Sequence, residues 1–392
     1  MLLAELAFNV THALRTLRGP VIALLAIELL DELVFGAREA AWPVLREELE
    51  LSYVQIGVLL SVPTYSSALL EPVFGVLGDS RWRRAVVVAG GIGMATALGL
   101  VAGAPGFVVL LVAFALLFPS TGAFVSLSQA TLMDLEPERR ELNMTRWSIA
   151  GGVGAFAGPL LLVLFTAVGA GWRGLFGTFA VLALALTALA AATHSRVQAH
   201  AGRPSLRTAL AALRRPLVAR WLVLLEFADL LLDVLLGYVA LYLVDEAGAS
   251  AQVGGLGVAV WTGAGLVGGL GVIVLLRRVD GLRYLRASAV ATLVLFPAFL
   301  LVHGAPAKLV LLAVVGLATA GWYSIPKARL YDALSGQSGA ALTLGSVAGL
   351  IAGTFPLAIG LVAERYGIDV ALWVLVAGPI VLLLGVPRRR RV

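Results

Sequence analysis

The chain has 392 residues, of which 60% are hydrophobic and 13% are charged, and its mean hydropathy is +0.96. These values exclude an ordinary soluble globular domain and indicate an integral membrane protein. The sequence contains no cysteine, which excludes disulfide bonds, thiolate metal sites and cysteine nucleophiles. The four histidines are dispersed without metal-ligand spacing, so no metal site is predicted.

Twelve apolar runs are each long enough to span a bilayer as a helix, which takes about 20 residues. In chain order they are 20–44, 53–77, 85–103, 107–132, 145–168, 172–192, 217–244, 252–276, 285–303, 307–332, 338–363 and 369–387. The sequence therefore predicts an all-α membrane protein with twelve transmembrane helices.

The basic residues lie mainly on one side of the predicted helices. That side holds 21 of the 29 Lys and Arg residues, whereas the opposite loops hold four, namely Arg46, Arg173, Lys308 and Arg365. Loops rich in Lys and Arg stay in the cytoplasm, so we expect both termini to be cytoplasmic and the protein to lie in the cell membrane. The net charge of +6 is thus explained by topology and the lipid bilayer, and no nucleic-acid partner is predicted.

An internal repeat divides the chain. A shift of 197 or 198 residues places Asp134 over Asp332, Pro159 over Pro356, and the sequence Gln-Ile-Gly at 55–57 over Gln-Val-Gly at 252–254. Such a shift predicts two pseudo-symmetric six-helix bundles, at 1–193 and 217–392. The polar, basic segment 194–216 is the expected cytoplasmic linker between them.

The first predicted helix carries acidic residues that a lipid-facing helix would avoid. Glu28, Asp31 and Glu32 fall on one stripe at 100° per residue, with Arg38 on its edge. A charged side chain at the bilayer centre costs at least about 2.5–3.5 kcal/mol, so these groups need a wet cavity, partners or protonation. The sequence therefore predicts that this stripe faces the protein interior.

The seventh predicted helix repeats the pattern. Glu226, Asp229 and Asp233 are spaced at i, i+3 and i+7, which is a single helical face, and the same shift aligns the first two with Glu28 and Asp31. Two acidic helices are therefore expected at equivalent positions of the two bundles.

A motif between the second and third predicted helices identifies a family. The run Gly75 to Arg84, GVLGDSRWRR, resembles the G-x-L-x-D-x-x-G-R-R signature of the major facilitator superfamily, with a tryptophan where that family has glycine. The resemblance implies a cytoplasmic gate in which Gly75 and Gly78 let helices approach and Asp79 contacts a helix end of the opposite half. It further implies that Arg83 and Arg84 bridge to Asp134, the acid at the inner end of helix 4. Plain topogenic charge is the alternative reading of this cluster.

Two further segments bear on the kind of transporter. Helix 5 reads GGVGAFAGP from Gly151 to Pro159, which resembles in part the glycine and proline motif of the antiporters of the superfamily, although small residues at this spacing also pack any two membrane helices. The run 51–79 is similar to the fosmidomycin-resistance-like exporters of the superfamily. Both resemblances point to export.

In this superfamily helices 1, 4, 7 and 10 line the central pathway, and most of the charge inside the predicted helices falls on those four. The resemblance gives coupling roles to Glu28, Asp31, Glu32, Glu226, Asp229 and Asp233, and makes Arg38, Gln129, Lys327 and Arg329 candidates for binding substrate. Charges that merely pair to hold the halves together are the alternative. Six acids face two bases, or three with Arg38, so several carboxylates must be solvated, protonated or neutralised by a cation.

We therefore expect a monomeric secondary transporter that moves a small organic solute by alternating access, with proton-coupled export as the leading hypothesis. The alternatives are a uniporter or symporter for a nutrient, or a lipid flippase, in which the buried charges act mainly as gates. No constellation of nucleophile, base and orienting group is visible, so the sequence predicts neither an enzyme nor a cofactor.

Overall fold

The computed structural model describes residues 19–78, 80–135, 137–193, 213–334, 344 and 348–387. This part of the chain contains twelve long helices and no strand. They are α1 (Gly19–Glu48), α2 (Tyr53–Gly78), α3 (Arg83–Ala102), α4 (Phe107–Leu135), α5 (Arg140–Ala167), α6 (Gly171–Thr193), α7 (Pro216–Asp245), α8 (Ala251–Leu275), α9 (Gly281–Leu301), α10 (Ala305–Leu334), α11 (Ala348–Tyr366) and α12 (Ile368–Gly385).

Eleven of these helices, α2 to α12, are long and apolar enough to cross a membrane. The remaining helix, α1, is 30 residues long but carries its acidic stripe in the middle. The all-α membrane fold with twelve helices is thus confirmed, and most helix ends lie within a few residues of the predicted ones. The linker at 194–212 and the predicted start of helix 11 at 338–343 lie outside the described residues.

Several of the long helices are irregular, since α12 contains a 3₁₀ segment at Trp373–Val376, α11 contains a turn at Gly353, and α4, α7 and α10 are interrupted in the middle. A π-helical turn, Gly122–Ser126, interrupts α4, and another, Leu230–Val234, interrupts α7. In α10 the regular helix stops at Thr319 and resumes at Ser324. Adding the repeat offset of 198 to 122–126 gives 320–324, so α4 and α10 are interrupted at equivalent positions of the two halves. Interruptions of this kind often mark functional sites.

We refer to α1–α6 as the first half and to α7–α12 as the second half. Within the first half α1 packs closely on α5, and glycines make this approach possible. A Cβ atom on Gly154 would lie 2.7 Å from the carbonyl oxygen of Leu29, and one on Gly158 would lie 2.7 Å from the amide nitrogen of Ala37. The glycines of helix 5 therefore seat the acidic helix against its neighbour, as small residues do in other membrane helix pairs.

The halves touch through four helix pairs, α1–α7, α1–α8, α2–α11 and α5–α8. We call the end of the molecule where α1 ends and α2 begins the distal end, and the opposite end the proximal end. Toward the distal end α2 and α11 cross at glycines, because a Cβ atom on Gly57 would lie 3.0 Å from Cα of Leu357, and one on Gly360 would lie 3.2 Å from Cα of Gly57. The backbones of the two halves are therefore in direct contact there.

The placement of four basic residues in distal loops needs correction. Arg46 and Arg365 lie in the last turns of α1 and α11, and Arg173 lies near the start of α6. Lys308 is buried in α10, where its ammonium group donates to the Tyr242 hydroxyl at 2.6 Å and to the carbonyl oxygen of Phe299 at 2.9 Å. The helices therefore extend beyond their apolar runs. At Lys308 the ammonium group satisfies free carbonyl groups at the end of α9.

Candidate functional site

The acidic stripe of α1 faces α5 and the space between the halves. Glu28 is buried, with 7% of its surface exposed, and its carboxylate accepts a hydrogen bond from Trp147 of α5. A Cβ atom on Gly151 would lie 2.7 Å from Oε1 of Glu28, so the glycine makes room for this carboxylate. Asp31 and Glu32, further along the stripe, are half-buried. The polar face thus consists of one enclosed acid and two that solvent reaches in part.

Arg38, a predicted substrate ligand, already has a partner in its own helix. Its guanidinium group pairs with Glu39, with Nε 3.1 Å from Oε1, and both residues are buried. The second carboxylate oxygen of Glu39 accepts from Nε1 of Trp42 at 2.7 Å. The rings of Phe35 and Phe118 lie 5.1 and 4.8 Å from the guanidinium carbon, which is within cation–π range. The charge of Arg38 is therefore compensated and enclosed.

Asp233 of the second half lies near the charged residues of α1. It is exposed although Leu231 and Val234 beside it are buried, and it lies in the middle of a membrane-spanning helix. Its carboxylate interacts electrostatically with Arg38, Glu39 and Glu32. Its side chain therefore faces open space between the halves. The π-helical turn at Leu230–Val234 changes the helical register at this residue, so the regular spacing predicted from the sequence does not extend to it.

Glu226 and Asp229 are half-buried on α7, and Lys327 of α10 is the base that interacts with both of them. Lys327 is itself half-buried, with its ammonium group 5.5 Å from the centre of the Tyr323 ring. The structure therefore brings the six predicted acids together with Arg38 and Lys327 between the halves.

Two of the predicted substrate ligands lie elsewhere. Nε2 of Gln129 is 3.8 Å from the sulfur atom of Met144, in the same half. Nη1 of Arg329 lies 3.8 Å from Asp332, and the arginine side chain is 42% exposed. Neither residue has a hydrogen bond or ion pair with an acid of the cluster within the described part of the chain.

The predicted cytoplasmic cluster lies at the proximal end. Nη1 of Arg83 is 2.8 Å from Oδ2 of Asp134, an ion pair that joins the start of α3 to the end of α4 within the first half. Arg84 is exposed and forms no ion pair with any residue that the structure describes. Asp79 lies outside the described residues, and Gly75 and Gly78 belong to the last turns of α2.

Sequence reasoning missed a second polar cluster, which joins the halves at the distal end. Asp245 is the last residue of α7, and its Oδ2 lies 2.5 Å from Nη1 of Arg46 on α1. The same oxygen accepts a hydrogen bond from the hydroxyl of Tyr53 on α2. The amide nitrogen of Tyr53 donates to Glu364 of α11 at 2.8 Å. These residues are 192 to 311 positions apart, and the only signal in the sequence was charge at predicted helix ends.

The acidic space between the halves is thus bounded distally by contacts between α1, α2, α7 and α11. Counting Glu39, seven carboxyl groups stand near two bases, Arg38 and Lys327, and Arg38 is paired with Glu39. An excess of carboxyl groups in a water-reachable cavity can bind protons or a cationic group, and it can change its exposure when the halves move.

Comparison with known proteins gives the family. Residues 33–342 match the model of the Major Facilitator Superfamily. The chain belongs to this superfamily. This result confirms the resemblance drawn from the 75–84 motif, and it identifies the protein as a transporter rather than an enzyme.

A curated relative is the Fosmidomycin resistance protein of Escherichia coli (strain K12), which is 28% identical over 186 residues. That match spans 47% of this chain and 46% of the relative, so it covers about half of each protein. The match agrees with the predicted likeness to fosmidomycin-resistance-like proteins.

Solved structures share the fold. The nucleoside transporter NupG has a TM-score of 0.76 at 14% identity, with 94% of this chain and 98% of that chain covered. A bacterial homologue of the human lysosomal transporter Spinster, in an inward-facing and unoccupied conformation, has a TM-score of 0.73 at 14% identity, with 94% and 95% covered. At such low identity these likenesses concern the fold of this chain.

Proposed function

We propose that this transporter exports a small organic compound in exchange for protons. The observation that carries the proposal is the excess of carboxyl groups over bases on α1 and α7, between the halves. Asp31 and Glu32 from one half and Asp233 from the other lie within electrostatic reach of the same arginine, Arg38. A group that binds a proton here is exposed to one side of the membrane at a time if the halves rock about the cluster.

The printed name of the curated relative supports the direction. Resistance to a compound is the expected effect of exporting it, and the relative is named for resistance to fosmidomycin. In this proposal the halves 1–193 and 217–392, joined by the linker 194–216, move as two bodies of one monomer. The protein lies in the cell membrane with both termini in the cytoplasm, so that the proximal end is cytoplasmic and the distal end faces outward.

The substrate ligands in this proposal are Lys327 and the acids that solvent reaches, whereas Arg38 acts through its charge. Arg329 and Gln129, nearer the proximal end, would contact substrate on its way into the cavity. Arg83, Arg84 and Asp134, with Asp79, Gly75 and Gly78, would form the cytoplasmic gate that closes when the distal end opens.

The test is uptake into everted membrane vesicles, whose lumen corresponds to the outer side. Two probes suit the cluster and the relative, namely the cationic dye ethidium and fosmidomycin. We expect at least one probe to accumulate when the lumen is made acidic, and we expect nigericin, which collapses the pH gradient, to abolish the accumulation.

Vesicles without the transporter provide the baseline. Uptake that reaches equal concentrations on both sides, with or without a pH gradient, would contradict coupling and favour the uniporter alternative. Export of small organic compounds would be contradicted by two results together. Neither probe would enter the vesicles, and no member of a panel of organic cations and anions would bind in a thermal-shift screen.

A further inference from the structure

The distal end carries a polar cluster in which every hydrogen bond and ion pair crosses from one half to the other. The first half supplies Arg46 and Tyr53, and the second half supplies Asp245 and Glu364. Arg46 also lies over the ring of Tyr53, with its guanidinium carbon 4.2 Å from the ring centre. One cation, Arg46, and two donor groups of Tyr53 thus contact two carboxylates of the second half.

Asp245 is the centre of this cluster. It is paired with Arg46 and also accepts the hydroxyl hydrogen bond of Tyr53, so one carboxylate holds the ends of both α1 and α2. Tyr53 is buried, with 8% of its surface exposed. A charge-assisted hydrogen bond with one partner buried is stronger than an ion pair on the surface.

Glu364 acts on α2 in a different way. Tyr53 is the first residue of α2, and its amide group is one of the donors that have no partner within the helix. The Glu364 carboxylate accepts that donor from the other half and places a negative charge at the positive end of the helix. The beginning of α2 is therefore capped by α11.

The contact continues one helical turn or more below the surface. Oγ of Ser61 on α2 accepts the amide of Leu357 on α11 at 3.1 Å, which joins the two halves. The hydroxyl of Tyr238 on α7 donates to the carbonyl of Pro356 at 2.6 Å and holds α11 in place within the second half. Glycines at 57 and 360 remove side chains from this crossing. The surface cluster thus lies over a close-packed seam.

We propose that Arg46, Tyr53, Asp245 and Glu364 form a latch that keeps the distal end closed. Because each of its hydrogen bonds and ion pairs joins the two halves, all of these are lost when the distal ends separate, and their free energy counts only toward the closed state. The latch therefore sets the equilibrium between the conformation described here and the one open at the distal end. It does not depend on proton coupling or on the substrate.

The latch is reached from the distal side. A cavity of about 630 Å³ lies beside it, lined in part by Arg46, Asp245, Glu47 and Glu50. The side chains of Arg46 and Asp245 are 33% and 27% exposed. Water and salt can thus replace the ion pair as soon as the halves begin to part.

The test is the distance between the halves, measured by double electron–electron resonance on the whole protein in nanodiscs. The chain has no cysteine, so spin labels can be attached to Val168→Cys and Leu301→Cys, which are exposed residues at the distal ends of α5 and α9. We expect Asp245→Asn to increase the population at the longer distance about tenfold relative to the labelled parent, the effect of about one charge-assisted hydrogen bond. Tyr53→Phe, which keeps the ring under Arg46, should act in the same direction and more weakly.

A matched control is Glu48→Gln. Oε1 of Glu48 lies 3.4 Å from Nε of Arg173 at the same end of the molecule, and both residues belong to the first half. Loss of this ion pair should therefore leave the distance distribution unchanged. The proposal is overturned if Asp245→Asn and Tyr53→Phe both retain the parent distribution. It is also overturned if Glu48→Gln opens the distal end as much as Asp245→Asn does. If Asp245→Asn does not yield monodisperse protein, the distance distribution of Tyr53→Phe alone tests the proposal.

Discussion

The guanidinium group of Arg38 forms a buried ion pair with the carboxylate of Glu39, the next residue in the chain. Adjacent residues of a helix normally point about 100° apart, so this pair forms only because both side chains bend toward the same space. Trp42 fixes the carboxylate from one side, and Phe35 and Phe118 cover the guanidinium group. Two buried charges are thus held at the level where α1 meets α7.

Removal of one partner should destabilise the fold. Glu39→Gln removes the carboxylate that is paired directly with the buried guanidinium group of Arg38, and we expect the free energy of unfolding to fall by about 3–5 kcal/mol. This free energy is measured by titration with SDS, with circular dichroism as the readout of unfolding. The double variant Arg38→Gln with Glu39→Gln removes both charges and should recover most of the loss. Equal stability of the parent and the single variant would contradict the importance of the pair.

The glycines of α5 should be sensitive to size. Gly154→Ala places a methyl group 2.8 Å from Cβ of Glu32, so α1 has to move and we expect lower yield of folded protein, read by size-exclusion chromatography. Gly265→Ala in α8 is the control, because no atom lies within 4 Å of the added carbon. A similar loss of folded protein in both variants would show that helix propensity or expression, rather than contact with α1, is responsible.

The proposed coupling role of α1 predicts that its acids are needed for accumulation driven by a pH gradient but not for exchange of substrate at equal pH. Asp31→Asn or Glu32→Gln should abolish accumulation driven by a pH gradient, because the site can no longer exchange a proton, and should leave exchange of substrate at equal pH partly intact. The vesicle assay above measures both. Glu47→Gln, near the distal end of the same helix, should behave as the parent. Were both neutral variants still to concentrate substrate, Glu226, Asp229 and Asp233 would become the coupling candidates.

The proximal cluster predicts an effect on rate. If Arg83 and Asp134 help to close the cytoplasmic end in one conformation, Arg83→Gln should slow transport several-fold while the dissociation constant for substrate changes little. Asp79→Asn, the corresponding change in the motif, should act in the same way. Arg277→Gln, at an exposed residue just after the proximal end of α8, is the control for loss of charge at this end. Comparable transport rates for Arg83→Gln and the parent at matched expression would count against a gate.

The orientation can be tested with impermeant maleimide on intact cells. Cysteine at Val168, which is exposed in the distal loop, should be labelled, and cysteine at Ser205 in the linker should be protected. Val168 is preferred to Gly304, because Gly304 has a φ of +86° and a side chain there would be strained. Labelling at Ser205 alone would reverse the assignment of the cytoplasmic side.

Much of the fold could be predicted from the sequence. Hydropathy located the helices, since spanning a bilayer imposes a length and a composition that few other structures share. The acidic stripe of α1 was also placed correctly toward the interior, because lipid offers a carboxylate no partner. The ion pair between Arg83 and Asp134 followed from the motif.

The remaining features depend on contacts that no local pattern encodes. The helical period predicted one face for the three acids of α7, but it could not predict the π-helical turn that contains Asp233. Gln129 was expected in the pathway from the position of its helix, and the contact of its side chain with Met144 could not be predicted. The distal latch joins residues about 200 to 300 positions apart, and the repeat gave no hint of it, since position 250 or 251, the equivalent of Tyr53, holds serine or alanine.

The interruptions of α4 and α10 have a mechanical consequence. A helix bends at lowest cost where its regular hydrogen bonding is already broken. The segments beyond the breaks, Leu127–Leu135 and Ser324–Leu334, are 9 and 11 residues long and occupy equivalent places at the proximal ends of the two halves. Two short segments with matched hinges can therefore bring the proximal ends together symmetrically, while the distal parts of the same helices remain in place.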